Sequence, residues 1–433
     1  MADVTISQLT RVEPSIDGVV PYTNINSSST KSSPLSSLFK NFDINVNSLT
    51  IGRGNNSISS NTALGTDSLI SNTTGTWQVA VGASALKSNT TGYSNTALGY
   101  VSLENNTSGF YNTAVGSNSL SKNIVGNRNV AIGSSSMMLS TDGNNNVAIG
   151  DSTLIASLTS YYNVAVGSSA LNSCIAGTGN TALGYMAMIN TGAAVTAGNF
   201  ISDLTYRIIS LGNTDFSLCG SAVGAGVGST FRATNAGTGT GTAAPVVVNN
   251  VSVGNNSLVK NRAGSNNTAL GYCTLFNNLS SDYNTALGYN AGYNNLGSNN
   301  TFIGNGSYGS TNNDNNTINL GNGSITNLRC AVQTIQALSD SRDKTDITDL
   351  NVGLKFINDL KPVSFTWNTR DKQKIGIKDF GFIAQDLIEA ENKNKLKVPN
   401  LVSDKNPDKL EASYSALIPI LVKAIQELSE RIK

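Results

Sequence analysis

Ser339 and Lys344 stand five residues apart in a chain of 433 residues that contains no histidine. A serine hydroxyl is a weak nucleophile until a base takes its proton, and without an imidazole a lysine amine is a practical base. Missing histidine also removes Ser-His-Asp hydrolysis, Cys-His proteolysis and His-ligated metal sites. A lysine acts as a base only as the neutral amine. Burial or a neighbouring positive charge must therefore favour that form, and Arg342 is the candidate for the charge. Taken alone, Ser-Asp-Ser-Arg-Asp-Lys also reads as a solvated linker, so the surrounding elements decide.

Those surroundings differ in composition from the rest of the chain. There are 28 Lys and Arg and 27 Asp and Glu, a net charge of +1, which argues against neutralising nucleic-acid phosphates or lying on an anionic membrane. Of these charges 31 fall in residues 331–433, making that segment about 30% charged and the remainder about 7%, against an ordinary value of about 25%. The boundary lies between Cys330 and Ser339. The start, Met1-Ala-Asp-Val-Thr-Ile-Ser, has no basic and apolar export signal, and no run approaches a membrane span. Synthesis in a host cytoplasm and a soluble product are expected. Cys174, Cys219, Cys273 and Cys330 are far apart and read as core or surface residues, with no metal and no cofactor expected.

The weakly charged part is periodic. A phrase of the type Asn-Thr-Ala-Leu-Gly places its glycine at Gly65, Gly82, Gly99, Gly116, Gly133, Gly150, Gly167 and Gly184, each 17 residues from the last. A second block has Gly254, Gly271, Gly288, Gly304 and Gly321, with steps of 17, 17, 16 and 17. Disorder does not hold such a phase, whereas a stacked solenoid requires it. In a unit such as Asn95-Thr-Ala-Leu-Gly-Tyr-Val-Ser-Leu103 the Ala and Leu before the glycine, and the Leu four places after it, are the regular apolar positions. All three are expected to be buried. The glycine is expected to need a positive φ or a close approach to the next coil, and the asparagines to serve turns. These repeats, over most of residues 48 to 327, resemble the head repeats of bacterial trimeric autotransporter adhesins and, more closely, the Asn-Thr-Ala-Leu-Gly-Tyr repeats of phage and algal-virus fibre proteins. The resemblance implies parallel β-rolls wound as trimers. The adhesins' signal peptide and membrane barrel have no counterpart here, which disfavours a bacterial surface anchor.

Between Gly184 and Gly254 the phase is interrupted, and strand-like alternation with glycine turns suggests a small β-module. It is similar to a module recurring in phage structural proteins and reads as a receptor-contacting knob or as a spacer or collar. Its glycines lack the Gly-Lys-Ser/Thr of a phosphate loop. The opening Val4-Thr-Ile-Ser-Gln-Leu-Thr with Gly18-Val-Val-Pro-Tyr22 is similar to leaders of virion-attached proteins, implying docking to a virion or tail component; a β-cap for the solenoid is the plainer reading.

Four blocks mark the charged segment: Leu338-Ser-Asp-Ser-Arg-Asp-Lys344, Leu360-Lys-Pro-Val-Ser-Phe-Thr-Trp367, Gly381-Phe-Ile-Ala-Gln-Asp-Leu387, and Tyr414-Ser-Ala-Leu-Ile-Pro-Ile-Leu-Val-Lys-Ala-Ile-Gln-Glu-Leu428. In this order and spacing they closely resemble the intramolecular chaperone of endosialidase tailspikes, a self-cleaving serine peptidase module at the C-termini of phage fibres. The resemblance makes Ser339 the nucleophile and Lys344 the base, with Asp340 and Arg342 matching the motif in supporting roles. Ser339 would attack the carbonyl of Leu338, leaving an ester that water hydrolyses. Ile418, Leu421, Ile425, Leu428 and Ile432 form a 3-4-3-4 stripe on a final helix, with Pro419 tolerable only in its first turn. In an assembled trimeric chaperone Phe365, Trp367 and Phe382 would be core residues.

The expected architecture is mainly β: a homotrimeric parallel β-roll or β-solenoid rod with a small α+β chaperone domain ending in a coiled-coil-like helix. Its expected parts are an attachment leader and cap (1–47), repeats (48–190), an inserted β-module (191–250), further repeats (251–330) and the chaperone autopeptidase (331–433). The expected role is a virion fibre or surface spike contacting a host receptor, a glycan being one candidate, with no nucleic-acid partner and no membrane insertion. A tailspike depolymerase with the same chaperone is the alternative. It needs a close carboxylate pair, yet Glu13 and Glu104 are the only glutamates before Ala331. A membrane-tethered transcription regulator would need a basic domain and a spanning helix.

Overall fold

The computed structural model describes residues 44–192, 194–227, 229–325, 327–331, 339–370, 372 and 374–432. The expected leader over 1–47 therefore lies outside the described residues except for its last four. The chain forms two compact units, Met1–Asn180 with Ala193–Val246, and Thr181–Gly192 with Val247–Lys433.

In the first unit an antiparallel hairpin, Ile44–Val46 and Leu49–Gly52, opens the sheet, and its second strand pairs antiparallel with Thr62–Gly65. From there the strands Thr62–Gly65, Val79–Val81, Thr96–Leu98, Thr113–Val115, Val130–Ile132, Val147–Ile149 and Val164–Val166 pair in parallel, Ala63 opposite Ala80 and Ala131 opposite Ala148. The 17-residue period is thus the contour of one solenoid coil.

Side chains alternate across a strand, so only the middle residue of a three-residue strand faces inward. Ala63, Ala80, Ala97, Ala114, Ala131, Ala148 and Ala165 are at most 1% exposed, whereas Leu64, Leu98, Ile132 and Ile149 are 37–46% exposed. The expectation that the residue before the glycine is buried is corrected accordingly: it forms an outward aliphatic stripe. The second core residue of each coil is the one four places after the glycine, Leu69, Leu86, Leu103, Leu120, Met137, Leu154 and Leu171, all 0% exposed. These residues take left-handed φ values of 49–53°.

Asparagine fills most of the remaining interior, rather than serving turns alone. Asn95, Asn112, Asn129, Asn146 and Asn163 are fully buried and stacked one per coil. Asn112 donates from Nδ2 to Gly126 O (2.8 Å), and the backbone N–H of Asn129 donates to Asn112 Oδ1 (3.0 Å). A second ladder runs through Asn72, Asn89, Asn106 and Asn123, the last three amides each donating to the Oδ1 of the residue 17 before it at 2.7–2.9 Å. Buried amides are affordable only when paired in this way. Both ladders recur at a fixed phase, four residues before the glycine (Asn95 and Gly99) and seven after it (Asn106), a signal present in the sequence. At Gly99, φ is +144° and a Cβ would lie 2.4 Å from Gly116 O, so both reasons for glycine apply there.

The inserted module folds as an antiparallel sheet of Val195–Thr196, Thr242–Pro245, Thr205–Ser210 and Thr230–Arg232, in that spatial order. Phe200, Tyr206, Phe216 and Phe231 form its aromatic core. Arg207 ties it to the first unit's coils, donating from Nη1 to Thr159 O (3.1 Å) with its guanidinium 5.8 Å from the Tyr161 ring centre.

In the second unit Thr181–Leu183 pairs in parallel with Val251–Val253, Thr181 opposite Val251, so the coil resumes its register after the insert. Thr268–Leu270, Thr285–Leu287, Thr301–Ile303 and Ile318–Leu320 continue the stack, with Asn250, Asn267, Asn284 and Asn300 as the buried ladder. The charged segment follows as helix α1 (Leu354–Asp359), the hairpin Val363–Asn368 and Ile375–Gly381, α2 (Ala384–Lys393), the short pair Val402–Ser403 and Glu411–Ala412, and α3 (Ile418–Ile432). Phe356, Leu387, Leu401, Val402, Leu417 and Ile420 form its core. Glu427 of α3 accepts the N–H of Leu354 at 2.8 Å, fixing α3 to the start of α1. Pro419 is the second residue of α3, where the absent N–H has no helical partner to lose. Phe365 and Trp367 are half-buried on the hairpin, and Phe382 packs at the edge of the core; none is fully buried in the single chain. Cys174, Cys219 and Cys273 are buried and Cys330 is exposed, all as free thiols. Among the described residues no helix is long and apolar enough to cross a membrane.

Candidate active site

Asp340 organises the site. Its Oδ1 accepts the backbone N–H of Arg342 at 2.8 Å, capping the short 3-10 turn Ser341–Asp343, and Lys344 leaves that turn in extended conformation. An aspartate that bonds the backbone two residues on is a turn signal readable from sequence. The turn reverses the chain just enough to fold the lysine back: Lys344 Nζ lies 2.7 Å from Ser339 Oγ and 3.4 Å from Ser339 O. Candidate nucleophile and candidate base are therefore within proton-transfer distance.

Arg342 is placed differently from the sequence expectation. Its guanidinium holds Asp340 in a fork, Nη2 to Oδ2 at 2.6 Å and Nε to Oδ1 at 3.0 Å. Those hydrogen bonds, side chain first and backbone N–H second, keep the Asp340 carboxyl below its usual range, and the same contact raises Arg342. The charge that was to act on Lys344 is thus already balanced by Asp340. Ser339, Arg342 and Lys344 are all solvent-exposed in the single chain, so burial is not supplied by this chain's own described residues. Leu338, the expected other side of the scissile bond, lies outside the described residues. Among the described residues no group of three Cys, Asp or Glu side chains could hold a metal ion.

Residues 339–403 match the peptidase family described as the chaperone of endosialidase, the match beginning at Ser339. No curated protein and no solved structure gives a match. The family match implies self-cleaving peptidase activity. The C-terminal segment therefore carries a chaperone-of-endosialidase domain, which with the β-solenoid fits a tail fibre or spike with a C-terminal chaperone.

Proposed function

We propose that the chain is a homotrimeric virion fibre or spike that contacts a host surface, docks to the virion through its N-terminal segment, and removes its own chaperone by cutting between Leu338 and Ser339. The observation that carries the cleavage is the 2.7 Å contact between Lys344 Nζ and Ser339 Oγ. With the amine neutral, Nζ takes the hydroxyl proton as Oγ adds to the Leu338 carbonyl carbon. The carbon–nitrogen bond to Ser339 then breaks, and the departing amine takes the proton back from the ammonium. Water hydrolyses the resulting ester to the Leu338 carboxylate and restores the Ser339 hydroxyl. Asp340 and Arg342 hold the turn that sets this geometry.

Assembly supplies what the single chain lacks. The stripe on α3 is open, with Ile418 59%, Ile425 67% and Ile432 78% exposed, and the coils carry their own outward line of Leu and Ile. Exposed apolar rows of this kind mark interfaces, and a heptad stripe on a terminal helix matches a second and third copy of itself. Burial on assembly would favour the neutral amine, so processing would follow trimer formation. Release of the chaperone then leaves a fibre whose unfolding is limited by rate rather than by equilibrium.

The test is a denaturing gel of the expressed full chain beside Ser339→Ala and Lys344→Ala. Two bands are expected for the wild type and one for Ser339→Ala. Lys344→Ala should process about 100-fold to 10,000-fold more slowly, the usual worth of a positioned base. Wild-type protein that stays whole after assembling would sink the reading.

A further inference from the structure

Within the second unit, the last coils and the turn around residues 406–411 border a half-open cleft of about 490 Å³ lined in part by Asn290, Tyr293, Tyr308, Ser310, Asn322 and Lys409. Among the described residues its lining holds no carboxylate, and Lys409 is its one charged side chain. Asn290, Asn294 and Asn322 line it with side-chain amides, which can both donate to and accept from hydroxyls. Tyr293 is held rigid by stacking on Phe276, ring centres 5.0 Å apart and 7° from parallel.

The C-terminal segment covers this cleft in part through specific contacts. Asn406 Nδ2 donates to Ser310 O (2.9 Å), Ser310 Oγ donates to Glu411 Oε2 (2.7 Å), and Lys409 Nζ stands 5.5 Å from the Tyr308 ring centre. An ammonium over the ring occupies the electron-rich face that a ligand would stack on. All three covering residues lie beyond Ser339 and leave with the chaperone if it is cut away. What remains is uncharged: two tyrosine rings, several asparagine amides and a serine hydroxyl.

We propose that the coil side of this cleft is a binding site for a neutral oligosaccharide, obstructed by residues 406–411 until the chaperone is released. The proposal rests on the cleavage reading above for its timing, but not for the site itself. A sugar ring offers C–H faces to Tyr308 and hydroxyls to Asn290 and the other amides. A nucleotide or a sialylated glycan would need a cation, and the site's only cation departs.

The experiment is binding of the assembled full chain to a panel of neutral hexose and N-acetylhexosamine oligosaccharides, with sialylated ones as a second arm, alongside a gel of the same samples. Processed wild type should bind neutral glycans, and Tyr308→Ala should bind about tenfold more weakly or worse while Tyr308→Phe retains binding. Uncut Ser339→Ala should bind about tenfold more weakly than processed protein, and adding Lys409→Ala and Glu411→Ala in that background should recover binding. That triple variant decides the matter if the wild type fails to cut, because it opens the cover without cleavage. The proposal is overturned if neither the processed protein nor the triple variant binds a neutral glycan, if only sialylated glycans bind, or if Tyr308→Ala binds as well as the wild type.

Discussion

The solenoid coils and the C-terminal segment solve burial in opposite ways. Most coils hide one alanine and one leucine or methionine, Ser252 and Phe302 replacing the alanine in two of them, and fill much of the remaining interior with asparagine amides bonded to neighbouring coils. The C-terminal segment instead gathers an aperiodic apolar core around Phe356, Leu387 and Leu401, and leaves the best apolar stripe it has, on α3, in solvent. A coil closes its interior with its own chain and leaves one outward aliphatic row exposed, whereas α3 leaves its whole heptad stripe exposed. Under the proposed function that contrast would separate a lasting fibre from a temporary registration device, and parallel coils with few local contacts would gain most from such a device.

The contrast breaks most visibly at Ile425. Ile425→Asp puts a charge in the α3 stripe, so trimer formation and, with it, processing should fall by about 100-fold or more on a gel time course, at a cost of several kcal/mol for a buried unpaired charge. The coils should keep their circular dichroism signature. A processed monomer would show that assembly is not required.

Glycine substitutions compare the two regions directly. At Gly99 an alanine Cβ would meet Gly116 O at 2.4 Å in a left-handed backbone, so Gly99→Ala should destabilise the coils by about 3 kcal/mol or more in denaturant unfolding. Gly376 also has a positive φ, +76°, but nothing lies within 4 Å of its Cβ position. Gly376→Ala should cost only about 1 kcal/mol. Equal effects would mean that the coils relax more freely than their stacking implies.

Acid separates the Asp340 clamp from the rest of the site. Asp340 is held below its ordinary range, so the clamp on Arg342 is complete above the unfolded aspartate value of about 3.9 and is lost only as pH falls through the lower folded value. The nuclear magnetic resonance shift of Asp340 Cγ should therefore stay that of the carboxylate down to about pH 4. A titration above pH 4 would contradict it.

The smallest effect tests the ladder. Seventeen residues beyond Asn123 stands Ser140, too short to continue the row, and Asn123 Oδ1 and Ser140 Oγ are both buried without partners. Ser140→Asn should extend the ladder and stabilise the coils by about 1 kcal/mol in thermal unfolding. No gain would mean that the orphaned acceptor costs little.

Much of this was legible in the chain. The glycine phase read directly as coils because Gly99 and its equivalents admit no other residue. The asparagine ladders are equally periodic but are not legible as ladders, since asparagine in a turn and asparagine in a stack look alike until backbone register is known. Leu64 and Leu98 read as core in the sequence because hydrophobicity says nothing about which side of a three-residue strand a position faces. At the site, the spacing of Ser339 and Lys344 was readable, while the fork between Arg342 and Asp340 depended on a turn geometry that composition does not carry. The cleft over Tyr308 joins residues about a hundred positions apart, beyond the reach of local pattern.

Self-removal of the chaperone requires that the bond between Leu338 and Ser339 is cut by the serine that follows it. Intact-mass measurement of the assembled wild-type protein, with N-terminal sequencing of the smaller product, reads that bond. A fragment starting at Ser339 and a partner ending in a free carboxylate at Leu338 are expected. A fragment with any other first residue, or the same fragment from Ser339→Ala, would contradict it.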